Sequence, residues 1–298
     1  MTGRRTHLDV FAVGSLVLCC FLWGLNQVAA KAILAEVPAL WQATIRSAGA
    51  AVLVAVWAAS RRIPLFERDA TLAGGLFAGA LFAVEFFCIF VGLQYTTASR
   101  MVVFLYISPF VVALGMPLIA RSEKLSAPQA GGLLLAFAGV AWAFAEGFSK
   151  PSVGPLQWLG DGLGVLAGLL WGATTLAIRG SALSHASAEK TLLYQLAVSA
   201  VLLLAATLIA SAPLPHSLSP LAWGSLVFQT VVVSFASYLL WFFLIRHYPA
   251  TRLASFTMLT PMFGLLLGAV LLQEAVSARL LFALATVALG IYLVNRRA

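Results

Sequence analysis

Apolar runs of about 20 residues follow one another along the chain with short polar breaks between them. Each run is long enough to cross a hydrocarbon core of about 30 Å as a helix. The period-two alternation of a barrel strand is missing, and backbone groups in lipid must be paired within their own segment, so the runs predict helices. Ten spans result, at roughly 9–34, 39–60, 70–94, 97–120, 127–147, 158–182, 188–211, 219–246, 250–273 and 276–295. Pro38, Ser126, Pro128, Pro249 and Ser277 stand at starts of spans, where a serine caps and a proline fits the first turn. The connections are too short to hold a separate soluble domain.

The pattern is written twice. Cys19–Lys31 reads CCFLWGLNQVAAK and Ala167–Arg179 reads AGLLWGATTLAIR, with Leu22-Trp23-Gly24 against Leu170-Trp171-Gly172, Asn26-Gln27 against Thr174-Thr175, and Lys31 against Arg179. The stretch Gln94–Arg100 returns as Arg246–Arg252, Ser108-Pro109-Phe110 as Thr260-Pro261-Met262, Glu123 as Glu274, and Gly139-Val140 as Gly290-Ile291, all about 150 residues apart. The repeat unit is therefore five spans, 1–150 and then 151–298. Five is odd, so the second copy enters the membrane from the opposite side. The expected fold is an all-α membrane protein whose ten transmembrane helices form two inverted-topology five-helix repeats in one integral unit.

Composition agrees: 62% of the residues are hydrophobic and 9% charged, against roughly 25% charged in a soluble domain. The net charge of +8 sits in loops, without a basic stripe interleaved with aromatics, so it marks topology and no nucleic-acid partner. Arg4, Arg5, Arg61, Arg62, Arg68, Arg121, Lys124, Arg179, Lys190, Arg246, Arg252, Arg296 and Arg297 fall on one side; Lys31, Arg100, Lys150 and Arg279 fall on the other. Both termini are expected in the cytoplasm of a multi-pass protein of the bacterial inner membrane. Arg4 and Arg5 before an apolar run resemble a secretory signal. The internal twin argues instead for an uncleaved first span.

Cys19, Cys20 and Cys88 lie in apolar runs and read as small buried hydrophobes. His7, His185, His216 and His247 are scattered, no phosphate-cradling glycine loop exists, and no carboxylate cluster suits a metal. Neither an enzyme, a metal nor a cofactor is expected.

The L-W-G-x-N pattern with its following Lys31, Arg46 early in the second span, Q-Y-T-T-A-S-R at 94–100, S-P-F at 108–110 and E-K-L-S-A-P-Q-A-G at 123–131 resemble the drug/metabolite transporter superfamily, specifically its EamA-type ten-helix exporters. The resemblance runs from Asp9 to Val294. It implies export of small metabolites, amino acids among them, without an ATPase domain, and is nearest in type to the bacterial aromatic amino-acid exporter.

Candidate residues follow from what is uncomfortable in lipid. Glu85 lies inside span 3, where ionisable groups face the interior or a cavity. It stands about 13 Å below the end of its span and Arg46 about 10 Å below the same surface at 1.5 Å per residue, so an ion pair between them is expected as one reading, a substrate or proton site as another. Asn26, Gln27, Thr174 and Thr175 are polar near mid-span and serve either substrate or helix packing. Trp23 and Trp171 are away from the headgroup belts, as cavity wall or core. Pro109 and Pro261 predict kinks in spans 4 and 9, for gating or for shape. Tyr106, Tyr238, Trp241 and Thr257 offer apolar faces with polar tips. The substrate-binding set is then Trp23, Asn26, Glu85, Tyr106, Trp171, Thr174, Tyr238 and Trp241. A monomer in the bilayer handling a small amino acid or related metabolite is expected; the alternatives are a multidrug or other metabolite exporter of the same fold and a non-transporting receptor or scaffold.

Overall fold

The computed structural model describes residues 5, 7–67, 69–145, 148, 154–215, 218–271 and 278–296. Arg4, Arg68, Lys150, His216, Glu274, Ser277 and Arg297 lie outside them. Among the described residues there is no strand. Spans 1 to 3 are the helices Val10–Ala32, Ala39–Ser60 and Thr71–Gly92; spans 5 to 7 are Ala127–Ala143, Gln157–Gly180 and Ala188–Ile209; span 10 is Ala278–Asn295. Among the described residues eight of the spans are long and apolar enough to cross a membrane, and spans 5 and 10 contribute shorter apolar helices. The side chains facing outward are large and apolar, with Leu118 90% and Ile209 85% exposed, as suits a surface solvated by lipid. The chain is an all-helical membrane protein.

Among the described residues three spans depart from a continuous α-helix. Span 4 is divided into Ala98–Leu105 and Ser108–Ile119, and span 9 into Ala250–Phe256 and Leu259–Leu271. The expected kinks at Pro109 and Pro261 take the form of breaks, with each proline in the first turn of the second piece, where its missing N–H is least costly. Pro109 offers no N–H to Leu105, and Ile107 and Phe110 donate three residues back, to Phe104 at 3.1 Å and Ile107 at 2.9 Å. Thr257 and Thr260 repeat this in span 9, to Ala254 at 3.2 Å and Thr257 at 2.9 Å. Span 8 runs from Pro220–Val227 through a π-helical segment, Phe228–Ser237, into Tyr238–His247. A π segment of 10 residues is long for a conformation that is mostly found as single-turn bulges, often at functional sites.

Two compact units emerge, one of Met1–Leu25, Cys88–Leu176 and His247–Ala298, the other of Asn26–Phe87 and Ala177–Arg246. Each draws on both sequence halves. In the first unit, span 5 packs along span 10: a Cβ on Gly132 would stand 2.8 Å from Gly290 O, and one on Gly290 2.5 Å from Gly132 O. Backbones this close require glycine, the small-residue mode of packing in lipid. Span 6 carries Gly160, Gly164, Gly168 and Gly172 at every fourth position on one helix face; Gly160 meets Gly92 O at the end of span 3 and Thr96, and the other three meet span 4. A Cβ on Gly168 would lie 2.5 Å from Phe104 O, one of the carbonyls at the break. Span 1 meets span 9 in the same way. Gly24 sits against Gly264 and Thr260 O, Phe21 meets Phe263 edge-on at 5.7 Å, and the Cys20 thiol donates to Phe256 O at 3.2 Å.

In the second unit span 2 packs on span 7, with the Thr44 and Thr207 hydroxyls 3.2 Å apart. Gly49 of span 2 receives Thr230 of span 8, and Gly75 and Gly79 of span 3 receive Tyr194 and Val198 of span 7. A polar thread ties spans 1, 2 and 8: Gln229 donates to Gln42 at 2.9 Å, Gln42 to Val37 O at 2.8 Å, and Ser225 to Ala29 O at 2.8 Å.

Candidate functional site

The candidate residues fall into two groups. Trp23, Tyr106, Pro109, Trp171, Thr174 and Pro261 belong to the first compact unit, and Asn26, Arg46, Glu85, Tyr238 and Trp241 to the second.

In the first unit the break in span 4 ends its leading helix on Tyr106, which is buried and meets the Trp171 ring edge-on, with centroids 5.8 Å apart. Cys20 of span 1 and Thr260, one residue before Pro261, adjoin the Tyr106 hydroxyl. The two broken spans and the two copies of the L-W-G motif thus converge here, because the glycines of spans 1 and 6 let the breaks approach. Thr174 donates its hydroxyl to Leu170 O at 2.8 Å, one turn back in its own helix. Trp23 is half-buried.

At the start of spans 4 and 6 in the same unit, Arg100 holds Asp161 through two bonds of 2.9 and 2.5 Å, Thr96 donates to Asp161 at 2.6 Å, and the guanidinium lies 4.2 Å from the Phe148 ring centre. At the starts of spans 1 and 9, Tyr248 donates to Asp9 at 2.9 Å, and Arg5 pairs with the same carboxylate. Near the start of span 9, Thr251 N–H donates to Glu123 at 3.2 Å. Sequence reading took Arg100 as a topology anchor and did not single out Asp161. The signal available was an acid one turn into span 6, an expensive place for an unpaired carboxylate.

In the second unit two charged side chains lie in the interior. Arg46 and Glu85 are each 6% exposed, on spans 2 and 3. They interact electrostatically, and Tyr238, the first residue after the π segment, has its hydroxyl within hydrogen-bonding reach of Arg46. Among the described residues no ion pair joins Arg46 to Glu85. The guanidinium instead lies over the Phe86 ring, 4.4 Å from its centre, and Glu85 Oε2 is buried without a hydrogen-bond partner. Phe82 meets Phe86 at 4.8 Å and Tyr238 at 6.3 Å, both edge-on. Phe82 and Phe86 were not singled out from sequence, although each lies within one turn of Glu85. Ser237, the repeat partner of Glu85, is buried and donates to Val233 O at 2.6 Å, so the cluster has no chemical twin. Asn26 Oδ1 is also buried without a partner, and Trp241 is buried. Among the described residues no group of His, Cys, Asp or Glu could hold a metal.

Ionisable side chains buried this deeply in spans are costly, on the order of several kcal/mol, which sets this pair apart from the apolar surroundings. The description of the EamA-like transporter family matches the chain twice, over residues 10–145 and 158–296. The chain belongs to the EamA-like transporter family. Similar proteins include an uncharacterized transporter of Synechocystis, 27% identical over 98% of this chain and 92% of the relative, and the uncharacterized transporter YvbV of Bacillus subtilis, 26% identical over 95% and 90%. A WAT1-related chloroplastic protein of Arabidopsis thaliana is 28% identical over 92% of this chain and 67% of its own length. A crystal structure superposes with a TM-score of 0.81 at 16% identity, covering 94% of both chains, and shares the fold. The sequence resemblance to EamA-type proteins holds at the level of the family, and this EamA protein is a multi-pass membrane transporter of small metabolites.

Proposed function

We propose that this chain is a secondary transporter that exports small metabolites, amino acids first among them, across the bacterial inner membrane. Two inverted five-helix repeats, 1–150 and 151–298, alternate access to a midplane cavity, both termini are cytoplasmic, and a monomer suffices. Trp23, Asn26, Glu85, Tyr106, Trp171, Thr174, Tyr238 and Trp241 contribute to substrate contact, and Pro109 and Pro261 to gating.

The observation that carries this reading is the pair of helix breaks at equivalent positions of spans 4 and 9, each just before its proline. Discontinuous helices in paired positions are the form in which secondary transporters expose backbone to a substrate and hinge about it. The charge asymmetry of the loops supports the inversion, since Lys31 and its twin Arg179 fall on opposite sides.

The test is flux into liposomes holding the purified protein, across a labelled panel of neutral, acidic and basic amino acids, organic cations and organic acids. Saturable flux of amino acids is expected. Folded protein with no flux of any solute overturns transport; flux confined to organic cations would favour a multidrug exporter.

A further inference from the structure

Each broken span is tied at its leading end to the opening span of the other sequence half. Thr96 stands two residues before Ala98–Leu105, and its hydroxyl donates to Asp161 of span 6 at 2.6 Å, where Arg100 adds bonds of 2.9 and 2.5 Å. Tyr248 stands two residues before Ala250–Phe256, and its hydroxyl donates at 2.9 Å to Asp9, one residue before span 1. Thr96 and Tyr248 hold the same position of the repeat, in 94–100 and 246–252, and each reaches a carboxylate at the entry of the other half. An odd repeat sets equivalent positions on opposite faces of the membrane, so one tie stands at each face. Both lie within the first compact unit.

The short helix behind each tie has a break at its far end, after Leu105 and after Phe256, so it has the form of an arm fastened at one end and hinged at the other. The hinges are joined: Tyr106 closes the first arm, its hydroxyl adjoins Cys20, and the Cys20 thiol donates to the carbonyl of Phe256, the last residue of the second arm. The fastenings differ in strength. The side chains of Asp161 and Arg100 are 19% and 15% exposed, whereas Arg5, which pairs with Asp9, is 60% exposed. Arg252, the repeat partner of Arg100, interacts with Glu123, so the cation of the second tie comes from the N-terminal segment. A sheltered two-bond pair holds where an exposed one is screened.

Resting on the transport reading above, we infer that the two ties are latches released in alternation. Ala98–Leu105 swings when Asp161 lets go of Thr96 and Arg100, Ala250–Phe256 swings when Asp9 lets go of Tyr248 and Arg5, and one arm closes as the other opens. The joined hinges at Tyr106 make the two arms a single element with two arrangements, which either tie can bias. The Asp9 latch is the weaker, so the protein at rest opens first on the face where span 9 begins.

The experiment is amide hydrogen exchange of the full chain in lipid nanodiscs, read by mass spectrometry on peptides covering 98–105 and 250–256. In the natural chain 250–256 is expected to exchange faster; the reverse order overturns the assignment of the weaker latch. Asp161→Asn is expected to speed exchange at 98–105 by at least about tenfold and to slow it at 250–256, and Asp9→Asn to do the opposite. Speeding at the released arm without slowing at the other makes the ties fixed struts and overturns alternation; no change at either arm overturns the latches altogether. Thr96→Val and Tyr248→Phe each remove one donor without stranding a charge, and they carry the same expectation, with smaller changes, if an aspartate variant does not fold. The exchanged pair Arg100→Asp with Asp161→Arg is expected to return 98–105 to the natural rate. Exchange is read without a solute, so absence of flux in liposomes overturns transport and leaves the exchange result to decide the latches.

Discussion

At the scale of single residues, charge near the membrane surface is treated differently from charge within it. Asp69, in the loop before span 3, accepts from Lys190 at 2.8 Å and from the Thr71 hydroxyl and backbone N–H. The Lys190 contact first, and Thr71 second, lower its carboxyl from 3.8 to about 2. A depressed value means that the folded state favours the ionised form, so the contribution to stability is complete above 3.8 and is lost as pH falls toward about 2. Asp69→Asn is therefore expected to lower the thermal unfolding midpoint at neutral pH. The gap from the natural chain should narrow as pH drops below 3.8, and a gap independent of pH would remove the role. The exposed carboxylate is screened, so the effect is small. Inside the spans the residues were legible as anomalies more than as partners. Glu85 stood out because an acid in an apolar run is rare, and its depth matched that of Arg46, which made an ion pair one of two readings; in the structure the guanidinium lies over the Phe86 ring. Depth along a helix does not determine which way a long side chain turns.

At the scale of elements, the ten apolar runs reappear among the described residues as helical segments, eight of them long and apolar enough to cross a membrane, because length and apolarity are local properties that lipid reads directly. The breaks in spans 4 and 9 were visible as prolines, but a proline alone does not distinguish a bend from a new start. That depends on whether a neighbouring backbone comes close enough to accommodate the loosened turn, here through Gly168 and Gly24. The stripe of glycines from Gly160 to Gly172 was the overlooked signal. The π segment in span 8 had no sequence cue, since i→i+5 bonding has no composition of its own. Pro109→Ala restores an N–H opposite Leu105 and is expected to close the break into continuous helix, slowing flux several-fold while leaving the protein folded. Pro261→Ala should act in the same direction if the two breaks hinge together. Flux measured for each variant and for the pair checks this, and unchanged flux in both would assign the breaks to shape alone.

At the scale of the whole molecule, the compact units cut across the sequence halves, and this bears on how such a chain can be divided. Spans 2 and 7 occupy equivalent places in the two halves and pack on each other; so do spans 5 and 10. Each half thus leaves apolar and glycine-lined faces for which the other half supplies the covering. Encoded as two polypeptides separated near residue 151, the halves are expected to be recovered folded when produced together and degraded when produced apart. Recovery of either fragment alone, monomeric by size-exclusion chromatography in detergent, would contradict this. Extended backwards, the same exchange of helices has a genealogical meaning: a five-helix ancestor packed this way could bury its own glycine faces only against a second copy lying antiparallel to it. Fusion of the two genes would then have freed each copy to change by itself, and a carboxylate at Glu85 opposite a hydroxyl at Ser237 is the kind of difference such freedom allows.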